Sequence, residues 1–135
     1  MTHDELRTAL ERIKELGGPV EHVSVDSPQV FGVRIKLRGL SHFVVFDDSQ
    51  SQHPQPTRAS HEWLIIGALM EDLNRRKVES GLSTDSDGEW EAEAWLTVLE
   101  DGEEVGFVPD ERSDDPLEAV IKTYIQALEA TQSEP

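Results

Sequence analysis

Leu6, Ala9, Leu10, Ile13 and Leu16 recur at the spacing of one helix face, and Thr2 with Glu5 forms a capping box ahead of them. Gly17-Gly18-Pro19 stops the run. The period then shortens to two. Val23 and Val25 alternate with polar residues, and Phe31, Val33, Ile35 and Leu37 alternate with Gly32, Arg34, Lys36 and Arg38. Ser27-Pro28-Gln29 marks the turn between these strands, and Arg38-Gly39-Leu40 the turn after them. Phe43-Val44-Val45-Phe46 reads as a short apolar strand covered on both faces. Links this short exclude parallel crossovers, so the three strands are expected to form an antiparallel meander.

Residues 47–59 form a polar loop holding Pro54 and Pro56. Ser60 is placed to cap a second helix. Its Trp63, Leu64, Ile65, Ile66, Leu69 and Met70 are apolar nearly all round, which predicts a buried helix. Arg75-Arg76-Lys77 suit the negative pole at its end. Residues 79–88, rich in Ser, Asp and Gly, read as a linker. Trp90 to Leu99 reads as a strand, and Asp101-Gly102 as a two-residue hairpin turn. That turn sets Val98 opposite Val105, Leu96 opposite Phe107, and Glu100 opposite the like-charged Glu103. Asp115-Pro116-Leu117-Glu118 opens a last helix with Asp as cap and Pro at the first helical position. Leu117, Val120, Ile121, Tyr124, Ile125 and Leu128 make its apolar stripe, and residues 131–135 are expected to fray. The expectation is one α+β domain spanning residues 1–135. An antiparallel sheet of about five strands carries three helices, in the order α-β-β-β-α-β-β-α.

Composition narrows the class. No Cys is present, which excludes disulfides and thiolate or zinc–sulfur chemistry. The run from Trp63 to Met70 is too short to cross a bilayer. Met1-Thr2-His3-Asp4-Glu5 lacks the basic and apolar regions of a signal peptide, so a cytoplasmic protein without membrane association is expected. The formal net charge is −16, and it is one-sided. Residues 1–78 are nearly balanced, whereas residues 79–135 set a dense row of Asp and Glu against only Arg112 and Lys122. Such a field repels nucleic acid and anionic membrane and draws in a basic partner.

The element order, together with small size, acidity and lack of Cys, is similar to the type III secretion chaperones. That resemblance implies a dimer holding an extended client segment. The C-terminal half offers a second resemblance. Pro56, Ser60, Trp63, Leu69, Leu73, Trp90, Ala92, Pro116-Leu117, Ala119 and Ala127-Leu128-Glu129 resemble small phage αβα-sandwich proteins. Where those carry a Cys-Arg-Ala run in the last helix, this chain has Ile121-Lys122-Thr123. The second resemblance implies a phage or mobile-element gene and carries over no catalytic residue.

Reactive constellations are sparse. The histidines are His3, His22, His42, His53 and His61. His53 and His61 with Asp47 and Asp48 could form a metal or hydrolase site only at a spacing that matches no ligand motif, and His61 falls in the first turn of a helix. Asp85-Ser86-Asp87-Gly88 resembles part of a calcium loop. Aligned on Gly88, the twelfth position is Ala94 where the loop needs Glu, so a turn before a strand is expected instead. No phosphate loop, dinucleotide fingerprint or nucleophile elbow is present. No catalytic residue, metal or cofactor is expected.

Arg34, Lys36 and Arg38 share one strand face, which suits either phosphate binding or neutralisation of Glu89, Glu91 and Glu93 on an adjacent strand. Repulsion of nucleic acid by the second half favours neutralisation. The acidity itself has three readings. Halophilic adaptation would deplete Lys and Arg throughout, and the balanced first half opposes it. A plain solubility surface is the default. The sharper reading is charge mimicry, in which carboxylates on a rigid scaffold occupy a cleft built for phosphates. Its residues are Glu89, Glu91, Glu93, Glu100, Asp101, Glu103, Glu104, Asp110, Glu111, Asp114 and Asp115. The leading expectation is therefore a non-enzymatic interaction protein that inhibits a basic nucleic-acid-handling protein, with no direct nucleic-acid binding. The chaperone-like dimer is the alternative, and a small hydrolase using His53, His61 and Asp48 comes last.

Overall fold

The structure, a computed structural model, describes residues 3–25, 32–39, 44–47 and 58–132. The chain's internal contacts fall into two compact units, residues 1–68 and 69–135.

In the first unit, α1 (His3–Glu15) buries Leu6, Leu10 and Ile13, with Leu16 just beyond it. The helix packs on β1 and β2. It ends where the pattern predicts. Gly17 adopts a φ of 85°, the Gly18 N–H donates to Ile13 O at 2.9 Å and the Gly17 N–H donates to Lys14 O at 3.0 Å. This paired bonding satisfies carbonyls that a helix end leaves open, and only glycine takes that φ without strain. Strands β1 (Val20–Val25), β2 (Gly32–Leu37) and β3 (Val44–Asp47) then form the antiparallel meander, in the order β1-β2-β3. Val23 faces Ile35 and Val25 faces Val33, while Arg34 and Lys36 stand opposite Ser24 and His22. Phe31, Phe43 and the Ser27-Pro28-Gln29 turn lie outside the described residues.

α2 (Arg58–Arg75) starts two residues before Ser60, which therefore sits in its first turn and not at its cap. The expectation of a mostly buried helix holds for one face and not for the other. Ile65, Ile66, Leu69 and Leu73 are buried, but Trp63 and Leu64 are exposed. α2 ends in the same paired bonding as α1, with the Val78 N–H donating to Leu73 O at 2.9 Å and the Lys77 N–H to Asn74 O at 3.0 Å. Here the left-handed position is filled by Lys77, with a φ of 62°, at a cost that glycine avoids. Leu73 and Val78, the positions whose apolar contact accompanies this cap, are both buried.

The second unit contains β4 (Glu79–Thr84), β5 (Trp90–Glu100), β6 (Glu103–Phe107), β7 (Asp110–Ser113) and α3 (Pro116–Gln132). The α+β class, the antiparallel pairing, the three helices and the predicted order all hold. The strand count differs: among the described residues there are seven strands in two sheets, where about five in one are expected. The added strands are β4, inside the expected linker 79–88, and β7, in a stretch to which the sequence pattern assigns no element. Neither carries apolar alternation, because each is held through its backbone by β5. β5 has β4 along one edge and β6 and β7 along the other. The Ala94 N–H donates to Pro109 O at 3.2 Å where β6 gives way to β7.

α3 packs on β5 and β7. Ala92 and Ala94 of β5 are buried, and their small side chains let the helix come close. Close approach is visible in the Thr123 hydroxyl, which donates to the Ala92 carbonyl at 3.0 Å. Leu117, Val120, Ile121, Tyr124 and Leu128 are buried as the stripe predicts. Asp115 caps the helix, accepting the Leu117 N–H at 3.0 Å. Helix residues continue to Gln132, into the expected frayed tail.

One polar cluster lies inside this unit. Asp72 is 5% exposed and Tyr124 fully buried. The Tyr124 hydroxyl donates to Asp72 Oδ2 at 2.5 Å, and Arg76 Nε donates to the same oxygen at 2.8 Å. Burial raises the Tyr124 pKa well above that of a free tyrosine, and the Asp72 carboxylate raises it further. The hydroxyl is held as a donor that fixes the end of α2 to α3.

Candidate functional site

The acids nominated from sequence divide among a hairpin tip, a cluster on β5 and β7, and single positions at turns and beside α3, and none of them is buried. The hairpin is set by its turn. Asp101 and Gly102 adopt φ values of 52° and 82°, the left-handed pair that a two-residue turn needs to match strand twist. The pairing that follows is the one the turn predicts: Glu100 with Glu103, Val98 with Val105 and Leu96 with Phe107. Leu99 stands opposite Glu104. Glu100, Asp101, Glu103 and Glu104 are all exposed. Sequence pattern alone misses what lies between them. Every residue of β6 is exposed, and Leu99 (49%), Val105 (38%), Phe107 (37%) and Val108 (48%) leave large apolar area in water.

The second group is built on β5 and β7. Their register sets Glu93 opposite Asp110 and Glu91 opposite Arg112, and oxygens of Glu91, Glu93 and Asp110 lie within 4.8 Å of one another. Arg112 approaches Glu91 at 3.0 Å and Asp85 at 3.7 Å. One guanidinium thus serves a set of crowded carboxylates, and their pKa values separate. Partial desolvation pushes Glu91 up, but hydrogen bonds and charge from Arg112 outweigh it and leave the group below its usual value. Glu93 and Asp110 are raised, first by desolvation and then by ionised Glu91 beside them. Three convergent oxygens of this kind are the donor set of a hard divalent cation, and equally of an incoming Lys or Arg.

This geometry corrects the basic-stripe expectation. Arg34, Lys36 and Arg38 belong to β2 and its turn, in the β1-β2-β3 sheet, whereas Glu91 and Glu93 belong to β5 in the other sheet. No sheet pairs these two strands. Arg112, on the strand that does pair with β5, takes the neutralising role, and Arg38 instead donates to Gly18 O at 3.4 Å.

The remaining nominated acids are placed individually. Glu89 is exposed in the turn before β5, and its N–H donates to Asp85 Oδ1 at 3.0 Å. Asp85 also accepts the Asp87 N–H at 2.9 Å, and Gly88 has a φ of 83°, so residues 85–88 form the expected turn. Glu111 accepts from Gln126 of α3 at 2.5 Å, and Asp115 is the α3 cap. Both serve the fold. Asp114 is exposed. His53 and Asp48 lie outside the described residues, and His61 falls on α2. No helix among the described residues is long and apolar enough to cross a membrane. No family model matches the chain, and neither a curated protein nor a solved structure resembles it at a significant level.

Proposed function

We propose that the protein is a non-enzymatic inhibitor that binds a basic nucleic-acid-handling protein through its acidic second half, placing carboxylates where that protein holds phosphates. One observation carries this reading. Glu100, Asp101, Glu103 and Glu104 project from a hairpin fixed by a two-residue turn, and residues 90–111 contain no Lys, Arg or His to neutralise them. Charge presented from an ordered hairpin avoids the ordering cost that an acidic tail meets on binding. The like-charge pair Glu100–Glu103 disfavours the free hairpin, and a cation from a partner relieves it.

The test uses a variant with amides in place of Glu100, Asp101, Glu103 and Glu104, which removes charge and nearly keeps shape. A basic protein captured by the native chain is assayed for displacement of its DNA or RNA by fluorescence anisotropy. Displacement is expected with the native chain and to weaken in the amide variant, mainly through slower association. It is also expected to fall steeply between low and physiological salt, where screening shortens the reach of exposed charge to about 10 Å. Equal displacement by both proteins, without salt dependence, makes the acidity a solubility surface.

A further inference from the structure

The hairpin offers more than charge. β6 pairs only with β5, and residues 103–107 make no other backbone hydrogen bond among the described residues, so its outer edge is open. An open edge with exposed apolar side chains invites an added strand, and acids along it select against some of the strands that arrive. Alternation along β6 defines the selection. Val105 and Phe107 lie on one face with Glu103; Glu104 and Gly106 lie on the other. Apart from its chain neighbours, no atom lies within 4 Å of where a Cβ would stand on Gly106, leaving room for a long side chain to run across it toward Glu104.

We propose that the β6 edge takes up an extended partner segment as an added strand, with apolar residues facing Val105 and Phe107 and Lys or Arg alternating on the Glu104 face. The proposal rests on the charge reading above, which supplies the basic character of the partner, and adds the contacts that hold it. Charge also settles the choice between a foreign strand and a second copy of this chain. Pairing β6 with β6 would bring together two chains of net charge −16, each carrying Glu103 and Glu104 on the shared edge. A basic strand meets attraction at the same positions.

Isothermal titration of the full chain with synthetic peptides tests this. The probes are a capped octapeptide alternating Val and Lys, a capped octalysine, and the alternating peptide N-methylated at every residue to remove its backbone donors. At 150 mM salt the alternating peptide is expected to bind at least tenfold tighter than octalysine, with N-methylation abolishing the difference. Val105→Thr keeps shape and strand preference and is expected to weaken the alternating peptide about tenfold while leaving octalysine unchanged; Phe107→Ser is the second variant, with circular dichroism as the folding control. Equal binding of the alternating peptide and octalysine overturns strand addition and leaves the charge reading standing. Undiminished binding of the N-methylated peptide also overturns strand addition. Failure of both unmodified peptides to bind at low salt overturns the two readings together. A dimer in sedimentation that Val105→Thr dissociates assigns the edge to a second copy and overturns the proposal.

Discussion

Tyr124→Phe removes one oxygen from the interior and nothing else. In the native protein that oxygen donates to Asp72 Oδ2 at 2.5 Å, within a site where Asp72 is 5% exposed and Tyr124 fully buried. The lost bond has a charged acceptor, so its removal costs about 1.5–3 kcal/mol. Arg76 still reaches the same oxygen at 2.8 Å, which keeps Asp72 from being an unpaired buried charge. The expected loss therefore stays within that range, and at roughly 4 °C per kcal/mol it lowers the melting temperature by about 6–12 °C. Differential scanning calorimetry near pH 7 measures it. A shift below about 2 °C refutes the account, since the hydroxyl would then be no better placed than in water. Alkaline pH gives a second readout. The folded-state pKa of Tyr124 is raised, so its contribution is complete below the unfolded value near 10 and is lost as pH climbs beyond it. The native protein should lose stability more steeply above pH 10 than Tyr124→Phe does.

Three further perturbations follow from the same structure. Ile121→Ala empties a site 1% exposed in α3 and is expected to cost about 2–5 kcal/mol, read by thermal melting. Lys77→Gly relieves a φ of 62° at the end of α2 and is expected to raise stability by up to about 1 kcal/mol, read by urea denaturation. Glu93→Gln removes a carboxyl whose folded pKa is raised, a group that favours the fold while protonated and opposes it once ionised. The variant should therefore melt higher than native at pH 7 and lose that advantage as pH falls below the carboxyl range, a comparison made by melting at both values.

The elements legible in the sequence are those whose local chemistry agrees with their surroundings. Asp101-Gly102 dictates a turn of two left-handed residues, so the whole β5–β6 register follows from it. Asp115-Pro116 likewise fixes the start of α3, and Gly17 the end of α1. β4 was hidden because Glu79 to Thr84 offers Leu82 as its only large apolar side chain. It forms because β5 supplies ladder partners, and Gly81 gives the Trp95 ring a surface to rest on, 3.5 Å from where a Cβ would stand. β7 was hidden for the same reason. The misplaced salt-bridge partners have a different origin. Arg34, Lys36, Glu91 and Glu93 share a period of two, but period fixes a face within a strand and says nothing of which strands are neighbours. Exposure of Val105 and Phe107 is equally invisible to pattern, which marks them apolar without marking where the covering helix ends. Lys77 gave no signal at all, since glycine is the residue expected there.

The two halves of β5 are unequal. Residues 90–95 pair with β4 on one edge, and residues 90–93 also pair with β7 on the other, whereas residues 96–100 pair with β6 alone. Amide protons in the first half are shielded by ladders on both edges of a strand packed against α3, so their exchange with solvent waits on opening of the whole unit. Those of β6 and of residues 96–100 that point away from the pairing exchange through fraying of the tip, which leaves the rest of the sheet intact. The hairpin end is thus the least protected part of its sheet.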